Sequence, residues 1–364
     1  MAKTSELNIL PVLSPKDVSK KVIEQVELER TGKQLGMLTR YPKLNIAFRK
    51  YFRFNQVNLF AGLSGSGKSL FLNILSEDFL DYREENSLNC NIDFIPILLH
   101  FCFEMSATNE MLRSIATDLG LSFDYLLSSA RVDKQDGTKG YNKITDRELD
   151  VIKKVLEKQS NKSILYFETS GNVAEVEHTI NAYFNRYTKH AEAFNAQSFE
   201  KRKGKTLVYK FIINFDHTLL FEKFDEDTQL QIISNIAKMA IRVRKRGDAM
   251  INLIGQLNNN IEDIRRLTMP SLHYPQKSDI YAQGELYNAC DTVAILHRPE
   301  LLKISNYGLK QLPTKGLIHL LILKARFAKI GSIWFKEAFE QGTILALEEN
   351  VEEQQESANF NEEN

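Results

Sequence analysis

The chain has 364 residues, enough to bury one large hydrophobic core or two modest ones. Hydrophobic residues make up 43% and charged residues 26%, which describes an ordinary globular protein rather than a disordered or fibrous chain. Lysine plus arginine equals aspartate plus glutamate at 47 each, so any contact with nucleic acid must come from local basic patches.

The cysteines and the N-terminus indicate where such a chain works. Cys90, Cys102 and Cys290 are scattered without metal-type spacing, which suits a reducing cytoplasm and predicts buried thiols. The N-terminus lacks the apolar stretch of a signal peptide, and no apolar run is long enough to cross a bilayer. We therefore expect a cytoplasmic protein with no membrane contact.

Residues 1–34 are predicted to form an N-terminal arm and a linker helix. Ser14 and Pro15 read as an N-cap followed by a first-turn proline, and the helix runs to about Lys33. Its narrow apolar stripe consists of Val18, Val22, Ile23 and Val26. A helix of this kind packs either on its own domain or on a neighbouring subunit, and the sequence leaves both open.

A phosphate-binding motif follows a short connector. The apolar run 57–61 leads into GLSGSGKS, which fits GxxxxGK[ST] with a strand before it and a helix to about Tyr82 after it. The glycines let backbone N–H groups face an anion, Lys68 can reach the β- and γ-phosphates, and the Ser69 hydroxyl can bind Mg²⁺. The predicted nucleotide-binding residues are Gly62, Ser64, Gly65, Ser66, Gly67, Lys68 and Ser69. The alternative is a glycine- and serine-rich turn that matches by chance.

Apolar runs alternate with helical patterns through most of the remaining chain. The run 94–103 is almost continuously apolar, as expected of a strand buried on both faces of a parallel sheet. Further strands are predicted at 163–168, 207–215, 250–255 and 292–296. Helices are predicted at 106–119, 121–130, 145–159, 173–187, 227–246 and 278–289, with Ser278 and Asp279 capping the last. This alternation predicts an α/β fold with a mostly parallel sheet and right-handed crossovers.

The loops and the C-terminal part complete the pattern. The runs 317–326 and 332–335 predict a β-hairpin, and the acidic stretch 348–364 predicts a disordered tail. The stretches 133–140 and 189–205 are polar and predict loops. The second loop ends in the basic run KRKGK, which predicts a solvated surface, with nucleic-acid contact as the alternative.

Three polar residues occur where predicted parallel strands end, at the edge where ligands bind in such sheets. Asp216 follows FIINF and is the candidate carboxylate for Mg²⁺; otherwise it is a turn or cap residue. Glu104 is the candidate general base for water; otherwise it is an acid favoured at a helix N-terminus. Gln256 is the candidate γ-phosphate sensor; otherwise it is an ordinary strand-end amide.

The positive charge needed for a phosphoryl-transfer transition state has no obvious source near the phosphate-binding motif. Lys324 and Arg326 lie two residues apart in an apolar strand, so both point to one face. They predict a cationic finger supplied in trans by a neighbouring subunit. The alternative is a pair of surface cations on an edge strand.

Five blocks of sequence carry a further resemblance. They are RTGKQLGMLTRYPKLNIAF, HFCFEMSATNEMLRSIA, FIINFDHTLLF, GQLNNNIEDIRR with SDIYAQGELYNACDTVAILHRP, and LKARFAKIGSIWF. With the phosphate-binding motif, and in this order from about residue 31 to 340, they resemble the ATPase domain of DnaB-type hexameric replicative helicases. The resemblance implies a RecA-like P-loop NTPase core over residues 35–347, with a mostly parallel twisted sheet flanked by helices and a C-terminal β-hairpin.

The resemblance also assigns roles. It puts Glu104 in the catalytic position with Arg113 as a later arginine, Asp216 on the Walker B strand, and Lys324 and Arg326 on the family's trans lysine and arginine. Further matching positions are Gln256, Asn258, Ser278, Asp279, Gly284, Asp291 and Arg298. The implied ligands are ATP and Mg²⁺, and the implied partners are single-stranded DNA, further copies in a hexameric ring, and a primase or loader.

The chain departs from the family in several places. About thirty residues precede the core, where the family has a helical primase-binding domain, so a phage or mobile-element helicase of a bacterial cell would fit. Arg49 and Lys50 replace a glycine pair, Walker B reads Phe-Asp-His, and the turn 327–329 reads Phe-Ala-Lys. The stretch 267–277 departs from the family's central-channel loops. ATP binding follows from the resemblance, while DNA binding and primase coupling do not follow from it alone.

Two functions remain in view. The first is a ring-forming, ATP-driven 5′–3′ helicase or translocase on single-stranded DNA, with Arg265 and Arg266 as candidates for phosphate contacts. The second is a RecA-like ATPase of another class, namely a recombinase-like filament protein or a nucleotide-gated scaffold that does not unwind DNA. A small-molecule kinase is disfavoured, because no lid-like arginine cluster accompanies the site and the strand pattern differs.

Overall fold

A computed structural model of the chain describes residues 14–127, 131–133, 139–141, 144–223, 227–281 and 283–347. The predicted arm 1–13 and the predicted acidic tail 348–364 lie outside the described residues. The boundaries of the predicted ATPase domain at residues 35 and 347 stay a prediction. No helix of the described part is long and apolar enough to cross a membrane.

The helices and strands alternate along the chain as the apolar periodicity predicts. The helices are α1 (Pro15–Arg30), α2 (Pro42–Ala47), α3 (Lys68–Leu80), α4 (Ala107–Leu119), α5 (Phe123–Leu126), α6 (Asp146–Ser160), α7 (Val173–Asn195), α8 (Gln229–Gly247), α9 (Ile264–Thr268) and α10 (Gln283–Ala289). The strands are β1 (Gly36–Met37), β2 (Phe52–Arg53), β3 (Gln56–Gly62), β4 (Ile95–Cys102), β5 (Arg131–Asp133), β6 (Lys139–Tyr141), β7 (Ile164–Phe167), β8 (Tyr209–Asp216), β9 (Met250–Gln256), β10 (Thr292–His297), β11 (Asn306–Tyr307), β12 (Leu312–Pro313), β13 (Leu317–Ala325), β14 (Gly331–Ala338) and β15 (Thr343–Ala346).

Nine strands form one mixed sheet in the order β15-β14-β13-β10-β3-β9-β8-β4-β7. The strands from β10 to β7 in this order pair in parallel, and β13, β14 and β15 add antiparallel strands at one side. The predicted α/β architecture and the C-terminal hairpin are therefore confirmed. The extra strand β15 was not predicted, because its four residues carry too short a pattern to read.

Helices cover both faces of the sheet and bury two hydrophobic layers. On one face, Phe71, Leu75 and Phe79 of α3 pack against residues of the sheet, including residues of β14. On the other face, Ile180 of α7 and Ile236 of α8 pack against the same strands. Burying both faces removes large apolar areas from water, and each Å² of buried apolar surface stabilises the fold by about 25 cal/mol. This two-sided burial is why the central strands read as continuous apolar runs.

The strand register brings the polar strand ends to one edge. Gly62 pairs with Gln256 across β3 and β9. Cys102 pairs with Asp216 across β4 and β8, and Glu104 comes two residues later. Since these strands run parallel, their carboxyl ends share one edge of the sheet, and this edge carries the candidate site.

The capping residues fix several helix starts as predicted. The Ser106 hydroxyl accepts the Asn109 N–H at 3.3 Å, and Thr145 and Glu148 form a reciprocal capping box. The predicted cap at Ser278 and Asp279 is wrong. These residues belong to a 3₁₀ turn, and α10 begins four residues later, at Gln283.

Two predicted loops also differ. Helix α7 continues to Asn195 rather than ending near residue 187, because Asn172 caps its start and the polar residues after 187 continue the helix on its solvent side. The predicted loop 133–140 overlaps the described ends of a short hairpin, β5 and β6. The basic run 201–205 lies in an exposed turn, as predicted for a solvated surface.

Helix α1 has no buried residue. Its apolar stripe is open, with Val22 at 53%, Ile23 at 58% and Val26 at 60% exposure. A described contact to the rest of the chain joins Glu29 and Arg53 at 3.3 Å. The alternative in which α1 packs on its own domain is therefore wrong for the described residues, and packing on a neighbouring subunit stays a prediction.

Candidate active site

A cavity of about 650 Å³ opens at the carboxyl edge of the parallel strands. The phosphate-binding loop contributes Ser64, Gly65 and Gly67 to its lining, followed by Lys68 and Ser69 of α3. Glu104 and Gln256 line the same cavity from the ends of β4 and β9. The structure therefore brings the predicted loop, base and sensor around one space.

The loop has the backbone shape that an anion cradle requires. Gly67 caps α3 with φ +90°, a conformation that residues with a side chain rarely adopt. A Cβ on Gly62 would lie 2.5 Å from both the Leu296 carbonyl oxygen and the Ser66 hydroxyl oxygen, so no side chain fits there. The N-terminus of α3 thus opens into the cavity, where its unpaired N–H groups suit a phosphate.

Lys68 is 8% exposed, and its ammonium donates to the Leu63 carbonyl at 2.7 Å. Burial lowers the pKa of Lys68 to about 8, while the charges of Asp216 and Glu104 act to raise it. A phosphate entering the loop would replace the Leu63 carbonyl as the acceptor. This lysine is therefore placed for the role that the motif predicts.

Asp216 is 3% exposed and lies next to the loop, where it accepts a hydrogen bond from Ser69. Burial raises the pKa of Asp216, and the Ser69 hydrogen bond partly offsets this. The carboxylate oxygen Oδ1 has no hydrogen-bond partner among the described residues. A buried carboxylate with an unused oxygen beside a serine hydroxyl is a donor set that fits Mg²⁺.

The remaining ligands of such an ion would come from nucleotide and water. Within the described ranges no three His, Cys, Asp or Glu side chains group as a metal site. Ser69 and Asp216 stay the candidate protein ligands. Mg²⁺ is commonly bound in this way, through one or two protein oxygens plus phosphates.

An arginine does lie at the cavity, contrary to the sequence expectation. Arg113 of α4 lines the cavity, and its Nη1 lies 3.7 Å from Oε1 of Glu110. Glu110 is 2% exposed and accepts from the Asn73 side chain at 2.5 Å, and burial raises its pKa. The expectation failed because Arg113 is 45 residues from Lys68 in the sequence, and only the packing of α4 beside α3 brings it to the site.

An aromatic wall closes one side of the cavity. Phe339 and Gly342, from the turn between β14 and β15, line it together with Phe123. The Arg298 guanidinium lies 5.0 Å from the centre of the Phe339 ring. The Thr117 hydroxyl donates to the Gly342 carbonyl at 2.5 Å and ties this turn to α4. Sequence reasoning missed this wall, because a lone phenylalanine after a strand carries no local signal.

Lys324 and Arg326 do not line this cavity in the described part of the chain. Both contact the C-terminal end of α10, but the predicted strand ends at Ala325, so that Arg326 is the residue after β13. Lys324 donates to the Tyr287 carbonyl at 2.7 Å, and Arg326 donates to the Asn288 carbonyl at 3.3 Å. Burial lowers the pKa of Lys324, and the nearby Arg326 charge lowers it further.

The two arginines considered for DNA phosphates differ. Arg266 donates to Asp279 at 2.6 Å and to the carbonyls of Leu272 and Tyr274. With a side chain only 14% exposed, it holds its own loop together and is not available to a phosphate. Arg265 is exposed and keeps its candidacy.

A row of buried amides crosses the sheet behind the site. Asn58, Asn252 and Asn214 are register partners on β3, β9 and β8, and each amide donates to the next. Asn214 also donates to the Ser76 hydroxyl of α3 at 2.7 Å. The signal was available in the sequence, because each of three mainly apolar strands carries one asparagine.

Comparison with solved structures places this fold among known ones. A structure described as an ATPase domain matches with a TM-score of 0.66 at 17% identity, covering 92% of this chain and 99% of that one. A DnaB-like replicative helicase, described with its interactions with primase, matches with a TM-score of 0.62 at 18% identity, covering 93% of this chain and 68% of that one. The RecA-like fold and the likeness to a DnaB-type ATPase domain are thus confirmed at the level of the fold. No protein-family model matches the chain, and no curated protein matches it in sequence.

Proposed function

We propose that this chain is an ATP-driven DNA helicase or translocase of the DnaB type, acting on single-stranded DNA in replication. ATP would be bound with Mg²⁺ at the cavity and hydrolysed where two copies meet in a ring. The observation that carries the proposal is the gathering of Lys68, Ser69, Glu104 and Gln256 around one cavity, with Asp216 bonded to Ser69. The fold likeness to DnaB-like ATPase domains supports the choice among P-loop enzymes.

Each residue has a defined task in this chemistry. The loop N–H groups and Lys68 hold the phosphates in line, and Gln256 contacts the γ-phosphate. Glu104 is exposed at the mouth of the cavity, where it can orient a water and accept its proton. Mg²⁺, held by Ser69 and Asp216, would neutralise charge on the β- and γ-oxygens. Phe339 offers a flat apolar face of the kind on which a purine base stacks.

The sharing of the site between copies is supported by two features. The open apolar stripe of α1 suits a neighbouring copy. Lys324 and Arg326 lie away from the cavity of their own chain and are partly exposed, so they suit the cavity of the next copy. A hexameric ring is the assembly that this arrangement and the family resemblance favour. A primase or loader is the partner class that follows.

Mixing two inactive variants tests the shared site. Arg326→Ala removes the finger and keeps the phosphate-binding loop, whereas Lys68→Ala does the reverse. If the finger acts in trans, mixed assemblies contain sites with both parts, and ATPase activity returns to part of the wild-type rate. No recovery at any mixing ratio would overturn the shared site.

DNA action is tested by ATPase rate and strand unwinding with and without single-stranded DNA. We expect stimulation by single-stranded DNA, with a mass of about six chains in native mass spectrometry. Arg265→Ala should weaken binding to all sequences and lower the slope of log K against log salt by about one. Lys201→Ala, in the exposed basic turn, is the matched control and should leave that slope unchanged.

A second candidate function is a RecA-like ATPase of another class, either a recombinase-like filament protein or a scaffold that does not unwind DNA. The stretch 267–277 favours it, because this stretch departs from the family's central-channel loops. ATP hydrolysis by a single copy without strand unwinding would select this function.

A further inference from the structure

Asp291 joins Arg326, the residue after β13, to β3, the strand that leads into the phosphate-binding loop. It lies between α10 and β10 and is 1% exposed. Its carboxylate accepts the Val57 N–H at 2.9 Å and the Arg326 Nη1 at 3.0 Å. Val57 is the second residue of β3, and the phosphate-binding loop follows the other end of this strand.

Backbone contacts repeat the same connection. The Asp291 N–H donates to the Val57 carbonyl at 2.7 Å, and the Arg326 N–H donates to the Asp291 carbonyl at 2.9 Å. Asp291 is therefore bonded to Val57 and to Arg326 through its main chain and through its side chain. A second guanidinium, that of Arg244 on α8, ion-pairs with Oδ2, the carboxylate oxygen that Arg326 does not contact.

The Arg326 guanidinium is held on one side and open on the other. Its contacts to described residues use two of its five N–H donors, one to Asp291 and one to the Asn288 carbonyl. The side chain is 48% exposed, in contrast to the 13% of Arg244. An arginine fixed in this way loses little side-chain entropy when it binds a phosphate, since its planar fork is already oriented.

We propose that Asp291 is a positioning residue for Arg326, the finger that acts in trans. Asp291 sets the orientation of the Arg326 side chain and links it to the N-terminal end of β3. The inference rests on the proposed function, in which Arg326 reaches the nucleotide of the next copy. Asp291 itself touches no nucleotide. It acts through Arg326. Because the same carboxylate also bonds to β3, a shift of β3 in one copy would change the orientation of the Arg326 that this copy presents to its neighbour.

The alternative is that Asp291 only supports β3 and the loop of its own chain. The two roles assign Asp291 to opposite sides of the shared site, so mixing experiments separate them. Asp291→Asn keeps an acceptor for the Val57 N–H and removes the charge that holds Arg326. We expect kcat for ATP to fall by about ten- to a hundredfold, as for a misplaced reacting group, with KM changed by less than about threefold.

The decisive experiment mixes Asp291→Asn with each of two reference variants, Lys68→Ala and Arg326→Ala. If Asp291 positions the finger, mixtures with Lys68→Ala regain ATPase activity, because that partner supplies an intact finger. Mixtures with Arg326→Ala stay inactive, because neither partner supplies one. The reverse pattern, recovery with both partners, or recovery with neither would each overturn the positioning role.

Mixing the two reference variants with each other tests the shared site separately from the role of Asp291. Recovery by Arg326→Ala mixed with Lys68→Ala establishes the shared site, so a wrong pattern for Asp291→Asn then overturns only the present inference. No recovery by the reference pair overturns the shared site and this inference with it.

Two further variants guard against simple loss of folding. Asp291→Asn combined with Arg244→Met leaves no second buried guanidinium unpaired, and it should show the same mixing pattern. Asp78→Asn is the matched control, because Asp78 is also a buried aspartate paired with an arginine, Arg40, at 2.7 Å. We expect Asp78→Asn to lower the melting temperature while keeping kcat within about twofold of wild type; an equal loss of kcat there would overturn the special role of Asp291.

Discussion

Gly62 and Gln256 are register partners on the adjacent parallel strands β3 and β9. The start of the phosphate-binding loop and the candidate γ-phosphate sensor therefore sit at the same level of the sheet, one strand spacing of about 4.8 Å apart. Such a short separation lets a bound phosphate contact both without any movement of the backbone.

Gly62→Ala should abolish nucleotide binding or lower stability strongly. The new Cβ would meet a backbone carbonyl at 2.5 Å, and a backbone atom cannot move aside as a flexible side chain can. We expect a loss of about 1–3 kcal/mol, typical of overpacking. Thermal unfolding and binding of a fluorescent ATP analogue measure it. Gly284→Ala is the control, since nothing lies within 4 Å of its Cβ position; equal effects of the two changes would contradict the steric argument.

Glu104→Gln should keep ATP binding and lower turnover about 10²- to 10⁴-fold, as for removal of a general base. The amide keeps the shape of the side chain but accepts no proton at neutral pH. Steady-state ATPase and analogue binding give the two quantities separately. Glu168→Gln, at the end of the neighbouring strand β7 and not among the cavity-lining residues, is the control. Near-normal turnover of Glu104→Gln would remove this residue from the chemistry.

Phe339→Ala should weaken nucleotide binding about tenfold, because an aromatic contact is worth roughly 0.5–1.5 kcal/mol beyond the area that it buries. Phe339→Tyr should retain most of the affinity, since the ring remains. Equilibrium titration with labelled ATP measures both. Phe199, which is 68% exposed, supplies the control Phe199→Ala. Unchanged affinity for Phe339→Ala would show that the base does not contact this wall.

Asn252→Leu should destabilise the fold by about 2–4 kcal/mol. Asn252 is 0% exposed and accepts from Asn58 while it donates to Asn214. Its replacement leaves two buried amide groups unpaired, each at a cost of about 1–3 kcal/mol. Denaturant unfolding measures the loss. Asn161→Leu, on a residue at the protein surface outside the row, should cost less than about 1 kcal/mol.

Stability should fall as the pH drops below about 6.5, because the histidines buried in neutral form include His297 and His319. Burial lowers the pKa of His297 to about 3, helped by the charges of Arg266 and His273, and burial also lowers the pKa of His319 well below its usual value. The unfolded chain binds protons at these residues from about pH 6.5 downward and the folded chain does not. Stability is therefore complete above the unfolded pKa and is lost on acidification, by about 1 kcal/mol per histidine between pH 6.5 and 5.5.

Denaturant unfolding at a series of pH values measures this loss as a slope. His297→Leu should reduce the proton uptake on unfolding at pH 5.5 by about one proton, whatever its effect on stability at pH 7. An unchanged slope would mean that His297 is protonated in the folded protein.

The features that could be predicted from sequence alone are local ones. The phosphate-binding loop is eight consecutive residues whose shape follows from its glycines, and the helix starts follow from their capping residues. The strand ends at Glu104, Asp216 and Gln256 were readable for a similar reason, since a strand buried on both faces is a mainly apolar run and each of these residues stands where that run ends.

Contacts between residues far apart in the chain could not be predicted in this way, because they depend on the packing of whole elements. The order of the strands places Gly62 beside Gln256, and the packing of α4 places Arg113 at the cavity. Neither the strand order nor the helix packing can be read from a short window of sequence. The contacts of Asp291 with Val57 and Arg326 join residues 234 and 35 positions away along the chain. Such contacts depend on chain closure over long loops and on burial of the whole sheet, which are properties of the folded chain and of no single segment.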